Sequence, residues 1–388
     1  MAIPFSYSFR NLWTRKWTSI LTAGGMALVT FVFAAVLMLA QGLQQTLIDT
    51  GSPDNVIVLR GGAETEVSSA IERGSAALIE VQPEVIQDAR GDPIASKEAL
   101  VLVTLPKTMT NKPTNVVVRG VGSQAMNLRP QVKLVAGRNF RPGTQEVIAG
   151  KSIAERVKGG SLGQTLSFAL SQWNVVGVFD AGTTAFSSEV WGDADQLLSA
   201  FRRTTYSDVI LKVPGEAGFE GLKNRLENDP TLTVQVKREI AFYQQQSEMM
   251  AKFIRILGLA TTMFFSLGAI LGAMVTMYSA VANRTAEIGT LRALGFRKGN
   301  ILAAFLTESI VLGLIGGIAG VAGASLLQLL TISTLNWTTF SELAFGFKLK
   351  PYIAGSTMAF AIAMGFVGGL LPAWRAAHLK IVDALRES

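Results

Sequence analysis

The sequence contains no cysteine and a single histidine, His378. Without cysteine the chain forms no disulfide, so a domain outside the cell must be held together by its core alone. Without a thiolate or a second imidazole, the chain lacks the ligands of a structural zinc site and the pair needed for Cys-His catalysis. We therefore predict no metal site, and we interpret His378, which follows the last apolar segment, as a solvated or interfacial side chain.

A phosphate-binding loop is also missing, because no G-x-x-x-x-G-K-[ST] pattern occurs in the chain. The glycine-rich run Gly159–Gly163 is followed by neither Lys-Ser nor Lys-Thr, so we interpret it as a turn. We expect a chain that binds no cofactor and is not an enzyme by itself. An enzyme outside the membrane is the weaker alternative, since no nucleophile, base and orienting acid are grouped in residues 51–237.

Long apolar segments are what the sequence has in abundance. Hydrophobic residues make up 49% of the chain, and the mean hydropathy of +0.36 is high for a soluble protein. Each segment can cross a hydrocarbon core of about 30 Å at about 1.5 Å per helical residue. The four segments are 20–43, 253–282, 301–332 and 352–371. The first is too long for a cleaved signal peptide and has a poor cleavage context, so we predict four retained transmembrane helices.

A long polar region, 51–237, separates the first two apolar segments. Short apolar runs typical of strands alternate there with amphipathic runs typical of helices. The strand-like runs are Val56–Leu59, Ala99–Leu105, Asn115–Val121, Glu146–Ala149, Val175–Phe179, Ser207–Val213 and Thr231–Lys237, and the helix-like runs are Thr65–Ile79, Ala194–Arg203 and Gly218–Asn228. The fold class predicted is a membrane protein with four transmembrane α-helices and a large α+β extracytoplasmic domain between helices 1 and 2.

Charge predicts the orientation of the spans. The net charge is +7, and the basic residues gather beside the apolar segments, where they set topology and oppose anionic lipid, so we expect no nucleic-acid partner. Their distribution places both termini and the 283–300 loop in the cytoplasm. The predicted order is 1–19 (cytoplasmic segment), 20–50 (first helix and stalk), 51–237 (outer domain), 238–282 (stalk and second helix), 283–300 (cytoplasmic loop), 301–332 (third helix), 333–351 (short outer loop), 352–371 (fourth helix) and 372–388 (cytoplasmic tail).

The charged stretch 283–300 has the pattern of a short helix on a membrane surface. Apolar residues recur at every third position on one side, an oppositely charged pair stands at i,i+3 spacing, and a glycine suited to a left-handed stop follows. In chain order these residues are Arg284, Glu287, Ile288, Leu291, Leu294 and Gly295. The alternative is an ordinary charged loop between two spans.

Two motifs resemble those of FtsX-like and MacB-like ABC transporter permeases. The family's coupling loop is matched by Glu287-Ile288, Leu291-Arg292-Ala293-Leu294-Gly295 and Glu308, and its closing elements by Leu371-Pro372-Ala373, Arg375-Ala376-Ala377 and Val382-Asp383-Ala384-Leu385-Arg386. The outer region resembles a MacB-like periplasmic core domain at Ala136-Gly137-Arg138 and Val175-Val176-Gly177-Val178. By the same resemblance, an inserted lobe is expected at about 122–189.

The resemblance implies a permease subunit of the bacterial inner membrane that works with a separate ATPase subunit, on which ATP and magnesium bind. It also implies a homodimer or a heterodimer with a related permease, contact with membrane lipids and, in some members, a periplasmic adaptor and an outer-membrane channel. ATP hydrolysis would move the periplasmic domain, for export or for lipid or lipoprotein trafficking. The residues expected to couple the subunits are Arg284, Glu287, Ile288, Leu291, Arg292, Leu294, Gly295 and Glu308. The alternatives are a membrane receptor or scaffold without transport, or an activator of a cell-envelope hydrolase.

Three further features leave alternatives open. Glu308, near the start of the third apolar segment, either forms a helix-end salt bridge or ties the coupling helix to that span. The tail after Pro372 either caps the last helix or contacts the ATPase. Glycines at i,i+4 spacing predict close helix packing, within the chain or across a dimer. These glycines are Gly268, Gly272, Gly313, Gly317, Gly320, Gly365 and Gly369.

Overall fold

The computed structural model describes residues 16–335 and 342–379. In chain order the helices are α1 (Lys16–Ile48), α2 (Arg73–Glu80), α3 (Ala125–Leu128), α4 (Lys151–Arg156), α5 (Ala194–Ala200), α6 (Gly215–Glu227), α7 (Glu239–Ala282), α8 (Thr285–Ala293), α9 (Lys298–Ser325) and α10 (Pro351–Ala377). The strands are β1 (Asn55–Arg60), β2 (Ile71–Glu72), β3 (Ala95–Pro106), β4 (Pro113–Val121), β5 (Lys133–Gly137), β6 (Glu146–Gly150), β7 (Thr165–Phe168), β8 (Ser171–Asp180), β9 (Glu189–Asp193), β10 (Thr205–Tyr206), β11 (Asp208–Lys212), β12 (Val234–Arg238), β13 (Thr331–Leu335) and β14 (Glu342–Gly346). Short 3-10 helices cover Ala185–Ser188 and Leu326–Leu329.

The described chain divides into two compact units. The helical unit contains residues 16–42, 251–330 and 347–379, and the sheet unit contains residues 43–250, 331–335 and 342–346. Four helices, α1, α7, α9 with its 3-10 extension, and α10, are long and apolar enough to cross a membrane. The predicted membrane fold, with a domain of helices and strands between the first and second spans, is confirmed.

The C-terminal ends of two membrane helices differ from the sequence-based boundaries. Helix α9 and its 3-10 extension end at Leu329 rather than at 332, because the chain enters strand β13 at Thr331. Helix α10 continues through Pro372 to Ala377 rather than ending at Leu371. A proline removes only one helical hydrogen bond, and membrane helices tolerate that loss, so Pro372 does not end the helix.

Glycines on α9 and α10 bring the helices of the helical unit into backbone contact. A Cβ at Gly313 would lie 2.6 Å from the carbonyl oxygen of Ala361, and one at Gly365 would lie 2.7 Å from that of Ser309. The Ser309 hydroxyl donates a hydrogen bond of 2.6 Å to the Gly365 carbonyl. Further close approaches of the same kind occur at Gly317, Gly320 and Gly369. These five glycines therefore pack helices within the chain.

Gly268 and Gly272 on α7 behave differently, because a Cβ at either position would have no atom within 4 Å. Both glycines line an open apolar groove of about 770 Å³ between α1 and α7. Thr22 and Thr276, whose hydroxyls are 2.9 Å apart, also line it. In the described chain these two glycines leave space unfilled rather than closing a helix contact.

The sheet unit is built on a mixed ten-stranded sheet in the order β12-β1-β11-β3-β4-β9-β6-β8-β5, with β7 pairing to β8. Most neighbours are antiparallel, whereas β4 with β9 and β6 with β8 are parallel. Strand β1 is buried at five of its six residues, which is typical of a strand covered on both faces. The stretch 122–189 contributes strands β5 to β8, which form one end of the sheet.

Among the described strands, β5 is the outermost at that end; it pairs with β8 and contains a bulge between Leu134 and Ala136. All five of its residues, from Lys133 to Gly137, are exposed.

Two local predictions in the sheet unit are wrong. The helix expected over Thr65–Ile79 is confined to α2, because the Thr65 and Ser68 side chains bond each other and each other's amides in a turn that competes with the helix. The short loop expected at 333–351 contains a hairpin of β13 and β14 instead. Leu343 and Phe345 alternate with small residues on β14 and are buried, and the Ala344 amide lies 3.4 Å from the Ser188 hydroxyl.

Candidate functional site

The residues predicted to couple this chain to a partner lie on and around α8, in the helical unit, and we call them the coupling region (Arg284 to Gly295, with Glu308). Only Asn283 and Arg284 separate α7 from α8. The helix ends where Gly295 adopts a φ of +93°. The amides of Gly295 and Phe296 then donate to the carbonyls of Arg292 and Leu291, at 3.1 and 3.2 Å. This is the glycine stop expected from the sequence.

Arg284 joins the start of α8 to α9. Its Nε donates to Glu287 at 2.9 Å, and its Nη1 donates to Glu308 at 3.2 Å. The Glu308 side chain is 7% exposed, and the guanidinium also lies 5.1 Å from the ring centre of Phe305. The two alternatives for Glu308 were a helix-end salt bridge and a tie between α8 and the third span. The contact between Arg284 and Glu308 is both at once.

Ile288 anchors the inner face of α8. It is 1% exposed and belongs to an apolar cluster drawn from three of the long helices. Its neighbours in that cluster are Met277 and Val281 on α7, Ile301 and Phe305 on α9, and Ala373 and Ala376 on α10. At the other end of α8, Arg292 Nη1 donates to the carbonyl of Ala377, the last residue of α10, at 2.8 Å. A displacement of α8 would therefore act on α7, α9 and α10 together.

The outer face of α8 carries Glu287, Thr290 and Leu294, all of them exposed. The prediction that Ile288, Leu291 and Leu294 share one side is wrong for Leu294, which is 72% exposed. A helix turns about 100° per residue, so two steps of three residues carry Leu294 about 120° away from Ile288. Leu291, halfway between them, is half-buried.

Sequence reasoning missed a buried charge cluster in the sheet unit. Its members are far apart in the chain and are brought together by the order of the strands in the sheet. No spacing pattern in the sequence therefore predicts them. They are Glu66, Glu98, Arg119, Arg129, Glu189, Asp208 and Glu239, each at most 5% exposed. Among the described residues, no three side chains of Asp, Glu, His or Cys are arranged to hold a metal ion.

Two arginines hold this cluster together. Arg119 grips Glu189 with two bonds of 2.7 and 2.8 Å and also donates to Glu66 and Glu98 at 2.8 Å each. Arg129 Nη2 donates to Glu98 at 2.9 Å. Burial by itself raises the pKa of the Glu98 carboxyl, but Arg129 and Arg119 outweigh that effect and hold the pKa below its usual value. The stability that Glu98 contributes is thus present above its ordinary pKa and is lost as the pH falls.

Asp208 has the opposite environment. It is fully buried, and neither carboxylate oxygen has a hydrogen-bond partner in the part of the chain that the structure describes. Burial, together with the charges of Glu98 and Glu66, raises its pKa well above the usual value despite the nearby arginines. A carboxyl whose pKa is raised on folding stabilises the fold fully only below its ordinary pKa, and this stabilisation is lost as the pH rises.

We therefore expect Asp208→Asn to stabilise the sheet unit by about 1–3 kcal/mol near pH 8 and by less near pH 5, because asparagine keeps the shape without the charge. Urea unfolding of the full chain, followed by tryptophan fluorescence at both pH values, measures the difference. Asp180→Asn, at an exposed ion pair with Lys151, is the control and should change stability by under about 1 kcal/mol. If Asp208→Asn does not stabilise the sheet unit at pH 8, or stabilises it more at pH 5 than at pH 8, the raised pKa assigned to Asp208 is contradicted.

Two family models match the chain. The model described as a MacB-like periplasmic core domain matches residues 19–229, and the model described as an FtsX-like permease C-terminal domain matches residues 259–381. The first covers more than half of the chain and the second includes the whole coupling region.

Similar proteins carry related names. The uncharacterized ABC transporter permease YknZ of Bacillus subtilis is 26% identical over 295 residues, which is 70% of each chain. The uncharacterized ABC transporter permease YvrN of the same organism is 27% identical over 415 residues and aligns over 98% of both chains. The macrolide export ATP-binding/permease protein MacB of Neisseria gonorrhoeae is 24% identical over 416 residues, 99% of this chain but 60% of the relative. A solved extracellular domain of YknZ from Gram-positive bacteria covers 47% of this chain and 99% of its own, with 18% identity and a TM-score of 0.37.

Proposed function

Because the chain belongs to the family of ABC transporter permeases that join a MacB-like periplasmic core domain to an FtsX-like permease domain, we propose that it transmits ATP-driven motion across the membrane. The energy would come from a separate ATPase subunit, on which ATP and magnesium bind. The observation that carries this proposal is the coupling region, in which one short helix contacts α7, α9 and α10 and leaves Glu287, Thr290 and Leu294 exposed for a partner.

In this mechanism the ATPase pushes on the outer face of α8. Ile288 passes the displacement to the apolar cluster, while Arg284 and Arg292 carry it to α9 and α10 through their polar contacts. Helix α7 then runs unbroken from Ala282 back to Glu239. Its 44 residues correspond to about 66 Å, about twice the thickness of a hydrocarbon core. A continuous helix of this length extends beyond a hydrocarbon core, so motion at its cytoplasmic end would reach the sheet unit through it.

The orientation follows from charge. Arg292, Arg297 and Lys298 surround the end of α8, and a basic excess favours the cytoplasmic side. We place the coupling region and both termini in the cytoplasm and the sheet unit in the periplasm of a bacterial inner membrane. The MacB relatives are named ATP-binding/permease proteins and this chain spans 60% of their length, which supports an ATPase acting with it.

We further propose that the chain works as a dimer, with itself or with a related permease, in export or in lipid or lipoprotein trafficking. The groove at Gly268 and Gly272, which no side chain of the described part fills, supports a membrane-embedded contact with a second permease or with lipid. A periplasmic adaptor and an outer-membrane channel would complete an export complex. A receptor or scaffold without transport, or a hydrolase activator, is the alternative.

Gentle affinity purification from the native membrane, followed by mass spectrometry, tests the proposal. A near-stoichiometric ATPase with a phosphate-binding loop is the expected result. Absence of an ATPase, under conditions in which other membrane complexes stay intact, would favour the receptor or scaffold. Any adaptor, second permease or hydrolase that copurifies would identify the transport class.

We expect Leu294→Asp to leave the chain folded and inserted but to lower permease-stimulated ATP hydrolysis by about fivefold or more, because a charge replaces an exposed apolar anchor. ATP hydrolysis by the purified complex in nanodiscs measures this. Leu170→Asp, which changes a fully exposed leucine of the sheet unit, is the matched control and should hydrolyse ATP like the parent. Equal rates for Leu294→Asp and the parent would mean that the contact surface lies elsewhere.

A further inference from the structure

The ends of α1 and α7 meet in the sheet unit. Helix α1 ends at Ile48 and leads through a short turn into β1, while β12 leads directly into α7 at Glu239. Strands β1 and β12 are antiparallel neighbours, with Val56 opposite Arg238. Pairing of the two strands therefore holds the two helix ends side by side.

Glu239, the first residue of α7, binds the segment that follows α1. Its Oε2 accepts hydrogen bonds from the Ser52 amide at 2.9 Å and from Asn55 Nδ2 at 2.8 Å. Its Oε1 lies 3.6 Å from Arg129 Nη2, and the residue is completely buried. A carboxylate is also favoured at this position by the dipole of the helix that it begins.

Gly51 brings the two backbones together. A Cβ at Gly51 would lie 2.8 Å from the Ile240 amide nitrogen and 2.9 Å from the Glu239 carbonyl carbon. Real Cβ atoms essentially never approach other atoms so closely, and the atoms met here belong to the backbone, which cannot give way as the end of a side chain can. The first turn of α7 is thus pressed against the chain that leaves α1.

The same junction is fixed to the rest of the sheet unit. The hydroxyl of Thr50, which is buried, accepts a hydrogen bond from the Ala185 amide at 2.9 Å. Arg129, which contacts Glu239, also grips Glu98 on β3. The start of α7 therefore connects through Arg129 to the buried charge cluster, and the end of α1 contacts the 3-10 helix Ala185–Ser188.

We propose that Glu239 is the positioning residue that makes the ends of α1 and α7 move as one body and that passes their motion through Arg129 and Glu98 into the sheet. This inference rests on the proposed function, since it concerns how motion enters the sheet unit. Without the Glu239 carboxylate, β1 and β12 still pair, but the first turn of α7 loses its fixed contact with the segment after α1, and the two helix ends can move relative to each other.

The test compares the parent with Glu239→Gln, which keeps size and one acceptor but removes the charge that faces Arg129. In the full chain in nanodiscs without ATP, hydrogen exchange is expected to rise about tenfold or more at Ser52 and in the first turn of α7 together, with β6 and β8 unchanged. Spin labels at Gln44→Cys and Ala241→Cys, introduced into this cysteine-free chain, are expected to give one narrow distance in the parent and a broad one in Glu239→Gln.

Glu146→Gln, which removes an ion pair with Arg138 in another part of the sheet, is the control and should match the parent in both measurements. Gly51→Ala separates the same segments by steric clash and should reproduce the broad distance. If Glu239→Gln has the same hydrogen exchange and the same label distance as the parent, the inference is overturned, whatever the rate of ATP hydrolysis. ATP should leave the parent's label distance unchanged, because the two helix ends move as one body. If instead ATP changes hydrogen exchange nowhere in the sheet unit of a complex that hydrolyses it, the proposed function fails, and the junction is still judged by comparing Glu239→Gln with the parent.

Discussion

Arg119→Ala is expected to lower the free energy of unfolding of the sheet unit by about 3–5 kcal/mol, which is the usual effect of removing one partner from a buried ion pair. The single side chain of Arg119 contacts three carboxylates, those of Glu66, Glu98 and Glu189. Burial by itself lowers the pKa of this arginine, but Glu189 and Glu66 raise it well above its usual value, so the guanidinium stays charged. Without it, the carboxyls must take up protons to remain buried, and the stability of the variant should fall as the pH rises.

Urea unfolding followed by tryptophan fluorescence suits this experiment, because Trp191 is fully buried and its Nε1 donates to Glu189 at 2.8 Å. Arg138→Ala, at a more exposed ion pair with Glu146, is the matched control and should cost about 1 kcal/mol or less. If Arg119→Ala unfolds at the same urea concentration as Arg138→Ala at neutral pH, the cluster does not hold the sheet together as described.

The second large effect is expected at Arg284→Ala. This change removes the guanidinium that contacts both Glu287 and the buried Glu308, so the helical unit should lose about 3–5 kcal/mol of stability. Stimulated ATP hydrolysis should fall by more than about tenfold, because α8 loses its polar contact with the third span. Melting temperature and ATP hydrolysis, both measured on the complex in nanodiscs, report the two losses separately.

A second substitution distinguishes charge burial from mechanical contact. Adding Glu308→Leu to Arg284→Ala also removes the buried carboxylate that Arg284 contacts, so the melting temperature should recover while ATP hydrolysis stays low. Arg297→Ala removes an exposed positive charge from the same loop and should change neither quantity. Recovery of hydrolysis in the double variant would show that Arg284 only neutralises Glu308 and transmits nothing.

The sequence was sufficient for the features that depend on local pattern. The four membrane helices follow from length and hydropathy, and the α8 helix follows from its charged pair and from Gly295, whose φ is positive as the stop requires. The position of Leu294 was mispredicted because a three-residue period drifts around a helix. The fourth helix was bounded at residue 371 by its hydropathy, whereas α10 continues to Ala377 through residues that are less apolar.

What the sequence could not supply depends on pairing between distant segments. Arg119 and Glu189 meet because β4 and β9 are parallel neighbours, with Arg119 opposite Trp191. Glu239 reaches Asn55 because β1 and β12 pair at the other end of the same sheet. A hydrophobic period reports which face of a strand is buried, but it carries no information about which strand lies beside it.

The bulged outer strand β5 bears on how this protein behaves when many copies are concentrated in one membrane. A regular strand at the margin of a sheet presents a row of amides and carbonyls that a neighbouring copy can extend, and fibrous aggregates grow by such additions. The bulge between Leu134 and Ala136 breaks the regular spacing of those groups, and the exposed Lys133 places a positive charge beside them. A second copy would therefore meet an irregular sheet edge that carries the same positive charge as its own. Overexpressed protein should resist edge-to-edge pairing of its sheets.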